Sequence, residues 1–464
     1  MNRPYSRREF VKTVALGAAG MGALRMFSPR SLFGQEGPRR PNIIFILSDD
    51  VGLGNISCCG ADKFKTPSID ALAGNGTRFE YCFSTPLCGP SRAQILTGRY
   101  PFRTGMTSNQ SGDVMKPANE TMIPAVLKPA GYVTAQVGKW NQLPLQPGDW
   151  GFDEYLRFNG SGVYWHEEKG EKKGEKKVAK KRGGAYTLNG QDKELPEGKY
   201  MPDLMHDFLV DFMTRHKDQP FYVHYAMSHI HGPILRTPDS APGSKDYYAD
   251  NIAYMDKLVG KLVAELDRLK LREKTLIIFV GDNGTAQKEA DRSSVGGRRP
   301  SGQKATMLEG GSRVPMITSW PGTTPAGKVS KDLVDFSDFF TTFAGLAGAE
   351  LPKGVTIDGR SLAPQLKGEA GNPREWVYVE LNGKRYVRTA RWKLTGAGEM
   401  FDMKEAPFNE IAVPADTADA EAVAARKHLQ EILTGLVGTA SARQEPPRDK
   451  AGRRAKRKNK NAAP

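Results

Sequence analysis

Two unbroken apolar runs constrain this chain more than any other feature. Asn42–Leu47 (NIIFIL) leads into Ser48-Asp49-Asp50, and Thr275–Val280 (TLIIFV) leads into Gly281-Asp282-Asn283-Gly284. Continuous β-branched runs of this length fit strands buried on both faces, as in a sheet covered by helices. Phe221–Met227 and Val314–Ser319 are further candidate strands. Between them lie helical patterns. The clearest is Asn251–Leu271, where Ile252, Met255, Val259, Leu262, Val263, Leu266 and Leu269 recur at helical spacing. This alternation predicts an α/β fold with a large, mostly parallel sheet sandwiched by helices, spanning residues 40–345. After about residue 345 the pattern shortens. Val377–Leu381, Arg385–Thr389 and Trp392–Leu394 read as strands of a smaller C-terminal α+β domain, residues 346–442, with a short antiparallel sheet. A chain of 464 residues buries a full core without staples, and four cysteines are too few for a disulfide scaffold.

The formal charge of +15 invites a nucleic-acid reading, but its distribution argues against one. Residues 1–35 carry +5, Glu167–Arg182 carries +4 and Arg443–Pro464 carries +7, which leaves −1 for the remainder. The charge sits in appendages around a near-neutral core. Such runs are solvated and commonly serve solubility; their functional reading is loose attraction to polyanions, including acidic polysaccharides. The insertion at 167–182 and the tail at 443–464 are therefore expected to stand outside the packed fold.

The N-terminus reads as an address. Ser6-Arg7-Arg8-Glu9-Phe10-Val11-Lys12 precedes the apolar, Gly/Ala-rich stretch Thr13–Leu24. A basic segment followed by a short apolar one is the pattern of a signal peptide, and S-R-R-x-F-x-K resembles the twin-arginine export signal at every fixed position. The stretch is too short to span a bilayer, which needs roughly 20 apolar residues. This assigns residues 1–35 to export through the twin-arginine machinery and the protein to the periplasm or another exported location. No clean A-x-A cleavage site follows, so both cleavage and retention as an N-terminal anchor fit.

In open α/β sheets, ligands bind beyond the carboxyl ends of the strands. Both strong strands end there in carboxylates: Asp49 and Asp50 at one, Asp282 with Asn283 at the other. An oxygen-only donor set suits a hard cation, Ca²⁺ or Mg²⁺. Asp is also common in turns and helix caps, so either pair alone would say little. The sharper element is Cys88-Gly89-Pro90-Ser91-Arg92, followed by Ala93-Gln94-Ile95-Leu96-Thr97-Gly98-Arg99. Pro90 and Ser91 are good first-turn residues, which puts Cys88 just before a helix N-terminus with its free N–H groups and partial positive charge. Arg92 adds a planar donor fork suited to tetrahedral oxyanions. The bland alternative is a buried, inert thiol.

C-x-P-S-R followed by A-x-x-L-T-G-R resembles the hallmark of the type I, formylglycine-dependent sulfatases of the alkaline phosphatase superfamily. The resemblance covers almost the whole mature chain. Thr66-Pro67-Ser68-Ile69-Asp70, Gly131-Tyr132, Gly138-Lys139-Trp140, Gly151-Phe152-Asp153, Asp282-Asn283-Gly284, Glu309-Gly310-Gly311-x-Arg313, Asp358-Gly359-x-Ser361-Leu362 and Trp392-Lys393-Leu394 follow in order. It implies that a formylglycine-generating maturation enzyme oxidises Cys88 to an aldehyde. One hydroxyl of the hydrated aldehyde attacks the sulfur of a sulfate ester and expels the alcohol; the other loses its proton, which expels sulfate and restores the aldehyde. By position, Asp49, Asp50, Asp282 and Asn283 match the family's Ca²⁺ ligands, completed by the modified side chain of Cys88, with Ca²⁺ preferred over Mg²⁺. Arg92 matches the residue that braces the hydrate. Lys139 and Lys304 match sulfate-contacting lysines, and His231 matches a candidate acid for the departing alcohol. His229, two residues earlier, reads as structural.

One position departs from the family. Where it has G-K-W-H, this chain has Gly138-Lys139-Trp140-Asn141. Asn141 sits where a histidine is expected to bond the hydrate and help remove its proton, and an amide is no base near neutral pH. Another group substitutes, elimination slows, or turnover is lost. The leading expectation is an exported enzyme acting on sulfated carbohydrate or another sulfate ester. The competing expectations are a phosphoesterase of the same superfamily and a non-catalytic, glycan-binding pseudo-sulfatase. With Cys88 converted, Cys58, Cys59 and Cys82 remain; a bridge from Cys58 or Cys59 to Cys82 and free buried thiols are equally open.

Overall fold

A computed structural model describes residues 40–111, 114–140, 143–158, 164–165 and 184–440. The export segment 1–35, the charged insertion 167–182, the tail 443–464 and Asn141 lie outside the described residues. Among those described, ten strands form one sheet and five form a second.

The large sheet comprises β1 (Asn42–Ser48), β2 (Thr77–Phe83), β3 (Val133–Lys139), β4 (Glu154–Phe158), β5 (Ala185–Leu188), β6 (Gln191–Glu194), β7 (Phe221–Ala226), β8 (Thr275–Gly281), β9 (Arg313–Ser319) and β10 (Lys328–Asp335). Their order is β10-β2-β9-β8-β1-β7-β3-β4-β5-β6. The centre, β8-β1-β7-β3-β4, is parallel throughout. Antiparallel pairings join β9 to β8 and β2 on one flank and β5 to β4 and β6 on the other, so the sheet is mixed.

The apolar runs are explained by where their side chains go. In β1, Ile44 and Ile46 enter one core, whereas Ile43, Phe45 and Leu47 enter the other. In β8, Ile277 and Phe279 share the first core, and Leu276, Ile278 and Val280 the second. Successive side chains of a strand alternate between faces, so a strand covered on both sides needs no polar positions. The first core is closed by α1 (Pro67–Gly74), α3 (Met201–Arg215) and α4 (Tyr247–Arg268); the second by α2 (Cys88–Thr97) and α5 (Asp338–Ala347).

The second sheet, β11 (Val377–Leu381), β12 (Lys384–Arg388), β13 (Trp392–Thr395), β14 (Met400–Asp402) and β15 (Ile411–Val413), is antiparallel and follows chain order. One face carries Val387, Trp392, Leu394 and Met400 against Leu429 and Leu433 of α6 (Ala420–Ala440). The other sets Val377, Val379 and Tyr386 against Phe83 and Leu333 of the large sheet. Both sheets belong to one compact unit that begins at Arg40. None of the helices in the described residues is long and apolar enough to cross a membrane.

The cysteine alternative resolves to free thiols at all four positions. Cys58 and Cys59 pack against the first core, whereas Cys82 is buried in the second. The sheet separates them, which leaves no place for a bridge to Cys82.

Candidate active site

Four strand ends converge because the central strands are parallel. β1 delivers Asp49 and Asp50, β8 delivers Asp282 and Asn283, β3 ends in Lys139, and the segment after β7 carries His229 and His231. Register fixes their heights: Ser48 pairs with Gly281, and Gly138 with Ala226. Gly138 has a φ of 102°, and a Cβ there would lie 2.1 Å from the Ala226 carbonyl oxygen. Only glycine lets the two strands approach at the point where Lys139 leaves the sheet.

Cys88 is the first residue of α2, and every residue of that helix is buried. Its Sγ lies 3.8 Å from Asn109 Nδ2, while Asn109 Oδ1 accepts a 2.8 Å hydrogen bond from the Gly89 amide. Asn109 stands in an irregular segment, where sequence reasoning had no pattern to find it. Burial raises the Cys88 thiol's pKa, and Asp282 and Asp49 add to that effect. One turn into the helix, Arg92 donates to Asp282 Oδ2 at 2.8 Å and approaches Asp49 Oδ2 at 3.9 Å.

Around these, charges interlock. Lys139 Nζ donates to Asp49 Oδ2 at 2.5 Å, with both side chains fully buried. Asp50 takes a left-handed φ of 60°, unusual for a residue with a Cβ. Its amide donates to Asp282 Oδ1 at 3.0 Å, and its Oδ1 accepts from Asn283 Nδ2 at 2.8 Å and from Lys304 Nζ. His231 Nδ1 donates to the Gly232 carbonyl at 2.7 Å, which leaves Nε2 facing Asp50 Oδ2 at 4.0 Å. Burial raises Asp49's pKa, but Lys139, His231, Arg92 and Lys304 together hold it below the usual carboxylate range. Burial and the neighbouring Asp49 push Asp282 the other way, above that range. Burial works against the charged form of Lys139, yet Asp49 outweighs it and holds the ammonium charged.

The structure thus brings Asp49, Asp50, Cys88, Arg92, Lys139, His231, Asp282, Asn283 and Lys304 to one place. His229 is separate: it is buried, and its Nε2 lies 3.1 Å from the Tyr200 hydroxyl. The site also fits a cation. Single ligand atoms of Asp49, Cys88 and Asp282 lie within 4.8 Å of one another, as do those of Asp49, Asp50 and His231. Asp49 Oδ1 and Asn283 Oδ1 are buried oxygens with no hydrogen-bond partner among the described residues. Buried acceptors without donors are rare and call for a missing partner; two oxygens beside three carboxylates favour a hard cation.

Comparison with known proteins agrees with this geometry. The profile of the family described as Sulfatase matches residues 41–349, and that of N-sulphoglucosamine sulphohydrolase, C-terminal, matches residues 302–436. Arylsulfatase A of Homo sapiens is 33% identical over 409 residues, covering 79% of this chain and 78% of that protein. N-acetylgalactosamine-6-sulfatase of Canis lupus familiaris is 32% identical, covering 81% and 75%. The crystal structure of Ps i-CgsB in complex with k-i-k-neocarrahexaose superposes with a TM-score of 0.73 at 28% identity, over 88% of this chain and 94% of that one. The chain belongs to the sulfatase family of the alkaline phosphatase superfamily. It is a sulfuric ester hydrolase, and the non-catalytic alternative is set aside.

Proposed function

We propose that this protein is an exported sulfatase acting on sulfated carbohydrate, with residue 88 matured to formylglycine and a divalent cation, Ca²⁺ in preference to Mg²⁺, held by Asp49, Asp50, Asp282 and Asn283. The observation that carries this reading is Cys88, buried at the start of α2 within ligand reach of Asp49 and Asp282. An unmodified thiol there is a poor nucleophile, because burial holds it protonated. The aldehyde hydrate would supply two hydroxyls on one carbon, one for attack on sulfur and one to drive release of sulfate. The cation would supply a Lewis acid that lowers the hydroxyl's pKa and offsets sulfate charge.

The chain's own residues do the rest. Lys139 and Lys304 bring two ammonium groups to the same carboxylate cluster, a fixed positive field for the anionic ester. Arg92, bound to Asp282, orients that carboxylate and braces residue 88 one turn away. His231 is steered by its bond to Gly232, so its Nε2 is the atom aimed at the site and the one that would carry a proton to the leaving oxygen. The carbohydrate assignment is supported by the glycan complex of Ps i-CgsB and the sugar sulfatase named above. Export is supported by Ser6–Lys12. Sulfate release should be measured on sulfated mono- and oligosaccharides beside the matching phosphate monoesters. Sulfated sugars should turn over, and Cys88→Ala should abolish release while leaving the chain folded. Retained activity in that variant, or preference for the phosphate esters, would overturn the reading.

A further inference from the structure

The segment that carries Lys304 is held from two sides. The large sheet's side holds its start: the Lys304 amide donates to the Thr285 carbonyl at 3.0 Å and the Ala305 amide to the Pro86 carbonyl at 2.7 Å. The second sheet holds the rest. Lys393 of β13 donates from Nζ to the Met307 carbonyl at 2.7 Å and to both carboxylate oxygens of Glu410 at 2.8 Å. Arg388 of β12 pairs with Glu309, both fully buried. The Tyr386 hydroxyl meets Ser312 Oγ at 2.6 Å, and the Pro407 carbonyl accepts from the Ser301 amide at 2.8 Å. Apolar packing adds to these bonds only at Met307, which lies against the cluster that includes Val377, Val379 and Tyr386. A cavity of about 560 Å³ opens between Met307–Leu308 and the strand residues Lys384, Tyr386, Thr395 and Phe401. Lys393 also lines that cavity.

Lys393 stands out within this set. Its side chain is 2% exposed, and burial works against its charged form. Glu410 alone would satisfy a paired charge. The additional bond satisfies a further donor of the buried ammonium, and because it goes to a main-chain oxygen three residues from Lys304 it also fixes where that backbone stands.

We propose that Lys393 is a positioning residue of the sulfatase: through the Met307 carbonyl, the second sheet sets the place of Lys304 against Asp50 and the sulfate ester. This rests on the reading of Lys304 as a sulfate-contacting lysine. Lys393 touches neither substrate nor reacting atoms, so its effect should exist only while Lys304 is present.

The test is a double-mutant cycle on kcat and KM for a small aryl sulfate. Lys393→Met combined with Glu410→Gln removes both members of the pair and leaves no buried charge unpaired. Those changes should lower kcat/KM about 10-fold, as displacement of a positioned group does. In a Lys304→Ala background they should cause no further loss. An equal loss in both backgrounds would overturn the proposal while leaving the role of Lys304 intact. So would an unchanged kcat/KM in the folded pair variant. An inert Lys304→Ala would instead overturn the reading of Lys304, and the proposal with it. If the pair exchange prevents folding, Lys393→Arg keeps the charge and its carboxylate partner but displaces the donor from Met307. Its loss, about 3-fold by the same argument, should likewise vanish without Lys304; persistence there would overturn the proposal.

Discussion

Histidines 224 and 229 show how burial alone separates chemistry from structure. Both are fully buried, and desolvation lowers the pKa of each to about 3, against an ordinary value of 6.5. They stay neutral wherever the fold exists. The unfolded chain, by contrast, takes up their protons below pH 6.5, so stability falls as pH drops from 6.5 towards 3. Each should cost about 2 kcal/mol by pH 5. Denaturant midpoints at pH 7.5 and pH 5 will read this loss, and His224→Gln should flatten the dependence; an unaltered slope would contradict it. His231, partly exposed beside Asp50, is the histidine proposed above for proton transfer. That division was legible in sequence only through the family motif, since apolar surroundings do not show in a spacing. Asn109 was not legible at all. Its contact with Cys88 arises from a loop's path, which no local pattern encodes.

Strands fix the site because the polar groups that form it stand at or just past the ends of β1, β3, β7 and β8. Gly138 is the most exacting case. Gly138→Ala would press a methyl group into the Ala226 carbonyl and lose the left-handed φ, which should destabilise the fold by at least about 2 kcal/mol. By displacing Lys139, the same change should lower kcat/KM about 10²-fold. Thermal melts and steady-state kinetics on one variant check both; a stable, active Gly138→Ala protein would contradict the strand-end argument. The elements differ in how openly the sequence shows them. β1 and β8 were evident as doubly covered strands, and β11 was read to the residue. β2 (TRFEYCF) and β3 (VTAQVGK) were not evident, because both mix polar residues into buried strands. In β3, Thr134 and Gln136 are buried; Thr134 Oγ1 donates to Asp153 and Gln136 Nε2 to the Gly138 carbonyl, so tertiary context overrides the pattern. The flanking antiparallel pairs were missed for a related reason: parallel or antiparallel sense follows from connections, which apolar periodicity does not report.

At the scale of the whole molecule, the site joins two sheets and a cluster of buried charges that the fold alone leaves incompletely satisfied. Asp49 Oδ1 and Asn283 Oδ1 lack donors, so a bound cation should stabilise the folded chain as well as activate it. Chelation should therefore lower the melting midpoint, and restoring Ca²⁺ should raise it more than Mg²⁺. At a hundredfold excess over Kd the stabilisation is about 2.7 kcal/mol. A midpoint insensitive to chelator and to both ions would argue against the proposed ligand set. Folding also constrains maturation. Cys88 is 1% exposed within a wholly buried helix, so the proposed maturation would have to occur before the core closes. The proposed twin-arginine route carries folded protein, so on that reading the step would precede export. The most direct test is mass spectrometry of the tryptic peptide Phe79–Arg92 from protein exported by its native host. The expected peptide has lost H₂S and gained oxygen at residue 88, an aldehyde in place of the thiol. An unmodified Cys88 thiol in exported protein that still releases sulfate would contradict the account.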